Sequence, residues 1–578
     1  MTIAESSDTD VMSVTASDSP PEAPEMGNVN TNNEAKAVPE NPDGVEDSAD
    51  TTPKTWRFWL VFVSLCVVSL TTSLDNTILT VALPTVTREI GGDEHYVWIS
   101  SSFLLSSTVV QPFIGQLANI FGRRWPMLTS VGFFILGSGI GGGATNVGML
   151  IAGRTIQGVG GGGIFVLLDI ITCDMVPLRE RGKYLGMVIS SGGIGATLGP
   201  LIGGAIAQAN WRWVFYINLP LGGAALVVLF FFLRVKHIEQ ASWEKALARI
   251  DYFGVTLFMG SMTAILLGLI MGGVTYGWGT YHIIVPIVIG FVGWAAFHVY
   301  EATGLCKEPS VPPHLFGNRT SFVGFFLAFL ASFLLMWAAV FLPVYYQGVL
   351  GASPFRSAVD LLPFNIFLIP ASMIAGGMMA KLGQYKPLHW AGFGISAIGF
   401  GLFTLLGPGS SKAAWVCFEI IASIGVGILM ISILPAIQAS LSDADNASSA
   451  SLFSFLRSFG FLWGITVPAI IFNNETDRSL HLVSDPKVVA ALADGKAYSH
   501  VSGGFVQSLS PEAQKQVIAV FNAGLKPVWQ AGIAFCLAGF VLTFVEKHVK
   551  MRTQLETDYG LETEKKTKDA EMNSEEKH

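Results

Sequence analysis

Phe58-Trp59-Leu60-Val61-Phe62-Val63-Ser64-Leu65-Cys66-Val67-Val68-Ser69-Leu70-Thr71-Thr72-Ser73-Leu74-Asp75-Asn76-Thr77-Ile78-Leu79-Thr80-Val81 holds a single charged side chain, Asp75. As an α-helix rising about 1.5 Å per residue, it spans roughly 36 Å and exceeds the ~30 Å of a bilayer's hydrocarbon. Its length and composition make lipid, not water, the solvent that shapes the fold. A charge inside such a segment costs several kcal/mol unless it is paired or wetted, so Asp75 is a functional candidate by position alone.

Outward from this stretch, comparable runs recur almost to the end of the chain. The expected spans are 58–81, 97–118, 126–144, 148–171, 184–208, 213–233, 252–271, 283–300, 320–343, 357–380, 387–406, 413–436, 448–472 and 527–546, fourteen in all. Composition agrees: 51% of the 578 residues are hydrophobic, 13% are charged, and mean hydropathy is +0.52. A soluble protein carries about a quarter of its residues as charges. The net charge of −8 comes from the first fifty residues, where twelve Asp and Glu face Lys36 alone. An acidic, apolar-poor segment cannot offset the entropy of ordering itself, so residues 1–54 are expected to form a disordered cytoplasmic tail. The slightly basic remainder offers no concentrated cationic face and excludes a nucleic-acid partner.

An even number of crossings puts both termini on one side. With a cytoplasmic N-terminus, the inner loops collect Arg123, Arg124, Arg179, Arg181, Lys183, Arg234 and others, while the outer loops carry only Arg88, Arg212, Arg356 and Lys412. The positive-inside rule selects that orientation. It leaves 473–526 as a long external loop, with the sequon Asn474-Glu475-Thr476 on the side where glycosylation occurs. No cleavable signal peptide is expected, so the first spanning helix serves as the insertion signal. Cys66, Cys173, Cys306, Cys417 and Cys536 are scattered singly; they read as packing residues, with no metal site, cofactor or disulfide framework implied.

Three glycine-rich segments carry mechanism. Gly115-Gln116-Leu117-Ala118-Asn119-Ile120-Phe121-Gly122-Arg123-Arg124 follows the second span; its glycines permit a tight helix end, and its arginines can hold terminal carbonyls. Arg154-Thr155-Ile156-Gln157-Gly158-Val159-Gly160-Gly161-Gly162-Gly163 places a cation inside the fourth span beside residues that admit close helix approach. Gly192-Gly193-Ile194-Gly195-Ala196-Thr197-Leu198-Gly199-Pro200-Leu201-Ile202-Gly203-Gly204 sets a proline among glycines, where a helix can bend and pack closely.

Together these segments resemble the major facilitator superfamily, and the third looks like the motif of its antiporters. Leu74-Asp75-Asn76-Thr77-Ile78-Leu79-Thr80-Val81-Ala82-Leu83-Pro84 and Trp211-Arg212-Trp213-Val214-Phe215-Tyr216-Ile217-Asn218-Leu219-Pro220 are similar to signatures of the fourteen-helix drug:proton antiporter subfamily. Leu342-Pro343-Val344-Tyr345-Tyr346-Gln347-Gly348-Val349-Leu350-Gly351-Ala352-Ser353-Pro354 looks like fungal members that export drugs or toxic secondary metabolites. The resemblance covers about 56–550. It implies an all-α membrane protein with six-helix bundles at 56–235 and 318–546, two inserted helices within 250–302, and a cytoplasmic tail at 547–578. The implied activity is proton-coupled efflux of mainly apolar small molecules by a monomer in the cell membrane, with a vacuolar or vesicle membrane as the alternative. In one place the chain departs from the family: where an acidic residue precedes a basic one, this sequence has Asn119 and Ile120, and Asn119 cannot make the ion pair associated with the inner gate.

The charges within the spans give the candidate site. Asp75 and Arg154 each lie about 17 residues from the inner end of their helices, roughly 26 Å deep, and form a credible pair. Thr71, Thr72 and Asn76 extend a polar stripe suited to a wet cavity. Asp169 is too far along the helix to reach Arg154 and is expected to be a solvated or gate-region carboxylate. Glu419 and Arg457 differ in depth by about 10 Å, which leaves neither with a firm partner; Glu419 is either functional or an interfacial carboxylate near Lys412. Asp75, Asn76, Arg154, Gln157, Glu419 and Arg457 are the coupling and substrate candidates. Gly115, Asn119, Gly122, Arg123, Arg124, Gly195, Gly199, Pro200, Gly203 and Gly204 are the gating and structural ones. The Phe clusters at 322–329 and 453–461 are expected mainly to face lipid or pack between helices. No nucleophile–base pair, metal cluster or phosphate loop points to an enzyme. Uptake, as by siderophore carriers, and a metabolite sensor signalling through its tail are the rival functions.

Overall fold

The computed structural model describes residues 54–90, 96–234, 243–273, 275–303, 306 and 308–552. The acidic segment 1–54, except Lys54, and the tail beyond Arg552 lie outside the described residues. The long helices are α1 (Trp56–Ile90), α2 (Tyr96–Phe121), α3 (Arg124–Gly142), α4 (Val147–Met175), α5 (Leu178–Asn210), α6 (Asn218–Phe232), α7 (Tyr252–Met271), α8 (Tyr281–Ala302), α9 (Arg319–Gly348), α10 (Leu362–Leu382), α11 (Lys386–Phe403), α12 (Lys412–Ala439), α13 (Asn446–Ser479) and α14 (Pro511–Leu542). Short helices at Trp213–Tyr216 and Pro354–Asp360 lead into α6 and α10. Among the described residues, ten helical stretches are long and apolar enough to cross a membrane. In α2, α3, α5 and α11, glycine, serine and other polar residues dilute the apolar side chains, so those helices depend more on neighbours than on lipid.

Side chains at the helix starts decide where the chain turns. Asn146, Asp251 and Asn318 accept backbone N–H bonds at the first turns of α4, α7 and α9, over 2.9, 2.9 and 2.8 Å, which satisfies donors that a helix leaves unpaired. Gly122 ends α2 with φ of 77°, a left-handed conformation that a β-carbon would strain.

In the first bundle α1 lies along α5, while α4 is held between α2 and α3. Gly195, Gly199 and Gly203 recur every four residues and share one face of α5. A β-carbon at Gly195 would stand 2.3 Å from the Leu70 carbonyl oxygen, and one at Gly199 would stand 1.9 Å from Thr77 Oγ1. These glycines bring the backbones of α1 and α5 together. In the second bundle α9 packs on α13, and α12 packs on α10 and α11. The bundles meet along α5–α10 and α2–α13; α7 and α8 pair with each other, and α7 leans on α2 and α13.

The stretch expected as the long loop 473–526 is largely helical. α13 continues to Ser479, α14 begins at Pro511, and short helices occupy Pro486–Leu492, Ala497–His500 and Gly503–Ser508. Val488, Leu492, Ala497 and Val506 are buried and join this segment to the main apolar core, which its hydropathy was too low to reveal. Among the cysteines, Cys173 and Cys536 are buried packing residues. Cys306 instead hydrogen-bonds the Asp251 carboxylate over 3.4 Å, and burial together with that carboxylate pushes its thiol up to about 12.

Candidate functional site

Asp75 is fully buried, and both carboxylate oxygens are occupied. Arg154 Nη1 meets Oδ2 at 2.6 Å. Gln157 Nε2 and Asn218 Nδ2 donate to Oδ1 over 2.8 and 2.5 Å. Arg154 also donates to Gln157 Oε1 over 2.7 Å, and its guanidinium lies 4.5 Å from the centre of the Phe103 ring. Ser138 Oγ accepts from Gln157 over 2.6 Å and from Asn218 over 3.2 Å. Helices α1, α2, α3, α4 and α6 thus converge on one charge, and every partner belongs to the first bundle. The predicted Asp75–Arg154 pair is present. Asn218 and Ser138 were not among the candidates.

The polar stripe around Asp75 is divided between buried and exposed residues. Thr71 and Thr72 are buried and donate to the Val67 and Val68 carbonyls of their own helix, over 2.8 Å each. Asn76 is exposed. Arg154 Nε and Asn218 Oδ1 are buried with no partner among the described protein atoms. Such orphaned groups are costly in a low dielectric and mark where the network can rearrange. Protonating Asp75 would leave Arg154 buried without a counter-charge, so a proton taken up here demands movement of its neighbours.

Asp169 is buried and paired at the bundle interface, which excludes the solvated alternative of its expected settings and agrees with the gate-region one. Arg457 Nη2 of α13 stands 3.1 Å from Oδ2, and Ser454 Oγ donates to the same oxygen over 2.6 Å. Arg457 therefore has a firm partner, across the bundle interface. Glu419 is likewise buried, which speaks against an interfacial carboxylate: Tyr346 OH donates to its Oε1, while Oε2 has no partner among the described atoms.

Near Asp169 the two bundles close on each other. Gln111 Nε2 donates to Ser458 Oγ over 2.9 Å, and Asn119 Nδ2 to Ser448 Oγ over 3.0 Å. A β-carbon on Gly115 would stand 2.3 Å from Ser451 Oγ, and one on Gly376 of α10 2.5 Å from the Gly182 carbonyl of α5. Arg181 reaches Gln438 over 2.8 Å and Asn446 over 3.0 Å. Asn119 thus joins the bundles by a neutral hydrogen bond. A further buried ion pair of this region, Arg123–Asp174, is 2.8 Å long and internal to the first bundle. Arg123 also caps the Ala118 carbonyl over 3.0 Å, and Arg124 holds the Phe230 carbonyl over 2.6 Å. Gly204 and Pro200 lie within α5. Asn474 is exposed in the last turns of α13, although Thr476 of its sequon is buried. Of the aromatic clusters, Phe322 and Phe326 face outward, whereas Phe455 packs on Phe258 of α7 with centroids 5.1 Å apart.

Comparison with known proteins agrees with this architecture. The profile of the Major Facilitator Superfamily matches residues 65–465. The chain is 50% identical over 525 residues to the MFS efflux transporter aclA of Aspergillus oryzae, covering 91% of this chain and 95% of that protein. It is 41% identical over 525 residues to the acurin A biosynthesis cluster MFS-type transporter of Aspergillus aculeatus, covering 90% and 94%. Among solved structures, the human organic anion transporter MFSD10 (TETRAN) is similar with a TM-score of 0.55, covering 85% of this chain and 100% of that one. At 14% identity this last likeness speaks for the fold alone.

Proposed function

Because the chain belongs to the major facilitator superfamily, and so is a multi-pass membrane transporter and not an enzyme, we propose that it is a fourteen-helix antiporter that exports mainly apolar small molecules in exchange for protons. The observation that carries the proton is the Asp75 cluster: a carboxylate buried in a spanning helix, held by one cation and two amides. Protonation removes the acceptor charge around which Arg154, Gln157 and Asn218 are arranged. Movement of α1 then carries α5, through the glycine contacts, and α5 forms part of the seal against α10. Such rigid-body rocking around a midplane site is the general mode of these folds. One proton moving down about 100 mV supplies roughly 2.3 kcal/mol. The relatives' printed names, an efflux transporter and a biosynthesis-cluster transporter, support export and a secondary-metabolite or toxin cargo.

The loop charges support a cytosolic position for both termini and for the closed end near Arg123, and an external one for Asn474 as a glycan acceptor. Each chain contains both bundles and works as a monomer in the cell membrane. Comparing metabolites of medium and cytosol, with and without the gene, identifies the cargo; a lower intracellular level after deletion would indicate uptake. With that cargo, purified Asp75→Asn in liposomes under an imposed pH gradient should bind but fail to drive uphill transport. Full proton-driven accumulation would remove Asp75 from coupling and make Glu419 the next carboxylate to examine.

A further inference from the structure

The chain beyond α14 does not leave the protein at once. Lys547 N donates to Thr320 Oγ1 of α9 over 3.1 Å, and Tyr385 OH donates to the Lys547 carbonyl. Lys386 Nζ reaches the Glu546 carbonyl over 2.7 Å. The Glu546 carboxylate is buried against His389 Nδ1 of α11 at 2.9 Å. These anchors all belong to the second bundle.

Five residues further on, the segment reaches the first bundle. Met551 is 2% exposed, in one apolar cluster with Leu178 of α5 and with Met379, Leu388 and Ala436 of the second bundle. Arg179 N of α5 donates to the Arg552 carbonyl over 3.2 Å. Arg552 Nη2 lies 3.1 Å from both the Asp443 carboxylate and the Leu441 carbonyl, and Asp443 is also 3.8 Å from Arg181 of α5. Beside this crossing, Arg179 donates to the Ala380 and Lys381 carbonyls of α10 over 2.6 and 2.7 Å.

We infer that residues 546–552 form a strap, fixed to the second bundle by Glu546 and Lys547, whose tip at Met551 and Arg552 clasps α5 and holds the Arg123 end of the transporter closed. The anchors decide which side lets go. Glu546 and Lys547 are tied to α9 and α11 by several bonds and a buried pair, whereas the tip meets α5 through one backbone bond, one apolar cluster and a shared carboxylate. When the bundles part, the strap stays with the second bundle and Arg552 leaves Arg179. The clasp sets the balance between closed and open forms of this end, independently of whether the driving ion is a proton.

The test uses the full chain with its five cysteines replaced by serine and a reporter, Ser451→Cys, at the buried contact with Gly115. Maleimide labelling of the reporter in detergent reads how often this end opens. Deleting 553–578 retains the strap and should leave the rate unchanged within about twofold, while deleting 549–578 should raise it by about tenfold. Should the longer deletion melt at a clearly lower temperature, Met551→Ser/Arg552→Ala is used in its place and should accelerate labelling at least several-fold at an unchanged melting temperature. Equal rates for the strap-less and strap-bearing proteins would overturn the inference, and so would acceleration already present after deleting 553–578 alone.

Discussion

Asp75 and Asp169 sit in the same bundle, are equally hidden from solvent, and each faces an arginine, yet they report on different things. Every partner of Asp75 comes from its own bundle: Arg154, Gln157 and Asn218. Arg457 and Ser454, the partners of Asp169, come from the other. A rigid-body rotation of one bundle against the other preserves the first set and breaks the second. The contacts of Asp75 would therefore survive a separation of the bundles, whereas the Asp169–Arg457 pair would part. Two buried ion pairs of similar chemistry thus differ in which bundle supplies their partners: one lies wholly within the first bundle, and the other spans both.

The comparison is tested most strongly at Arg154. Arg154→Ala leaves a fully buried carboxylate without its cation and should cost about 3–5 kcal/mol, read as a large fall in melting temperature in detergent. Adding Asp75→Asn should recover at least half of that loss. A single variant that melts like the wild type would show that the cluster contributes nothing to holding the first bundle together. Gly199→Val should come next, because its β-carbon meets Thr77 Oγ1 at 1.9 Å; overpacking of this kind costs about 1–3 kcal/mol. Thr77→Ala in the same chain should restore part of it, and failure to do so would break the idea that α1 and α5 move as one.

Effects across the interface should be smaller in stability and larger in opening. Asp169→Asn retains an acceptor for Ser454 and leaves an arginine that is 13% exposed, so the melting cost should fall below that of Arg154→Ala, at about 1–3 kcal/mol. Labelling of a cysteine at Ser451 should nevertheless accelerate several-fold, and an unchanged rate would show that the pair does not track the gate. Glu419→Gln should matter least. The glutamine carbonyl still accepts from Tyr346 and no cation is orphaned, so stability should change by less than about 1 kcal/mol. A loss as large as that of Arg154→Ala would mean that the second bundle holds a charge cluster equivalent to the first.

Equal depth along antiparallel helices was enough to pair Asp75 with Arg154, because both distances could be counted from helix ends. Asn218 and Ser138 escaped that arithmetic. Uncharged polar residues occur throughout these helices, and nothing along the chain distinguishes the two that face a carboxylate. Asp169 and Arg457 escaped for another reason: each was judged within its own bundle or against Glu419. Both lie toward the end that carries Arg123, and a search for opposite charges at shared depth between bundles would have joined them. The helicity of 480–510 was hidden because its apolar residues are too few for a membrane span and its short helices have no long period.

The sequence by itself determined that the chain lives in lipid, that long apolar helices recur along it, and which charges are too deep to be accidental. Hydropathy and helical rise are local quantities, and the cost of burying a charge is large wherever it lies. The glycines of α5 were likewise visible as a surface for close approach. Only the tertiary structure decided what approaches them, which bundle supplies each counter-charge, and where the C-terminal segment is clasped. Those outcomes depend on the rotation and offset of helices far apart in sequence, set by the packing of all the others at once.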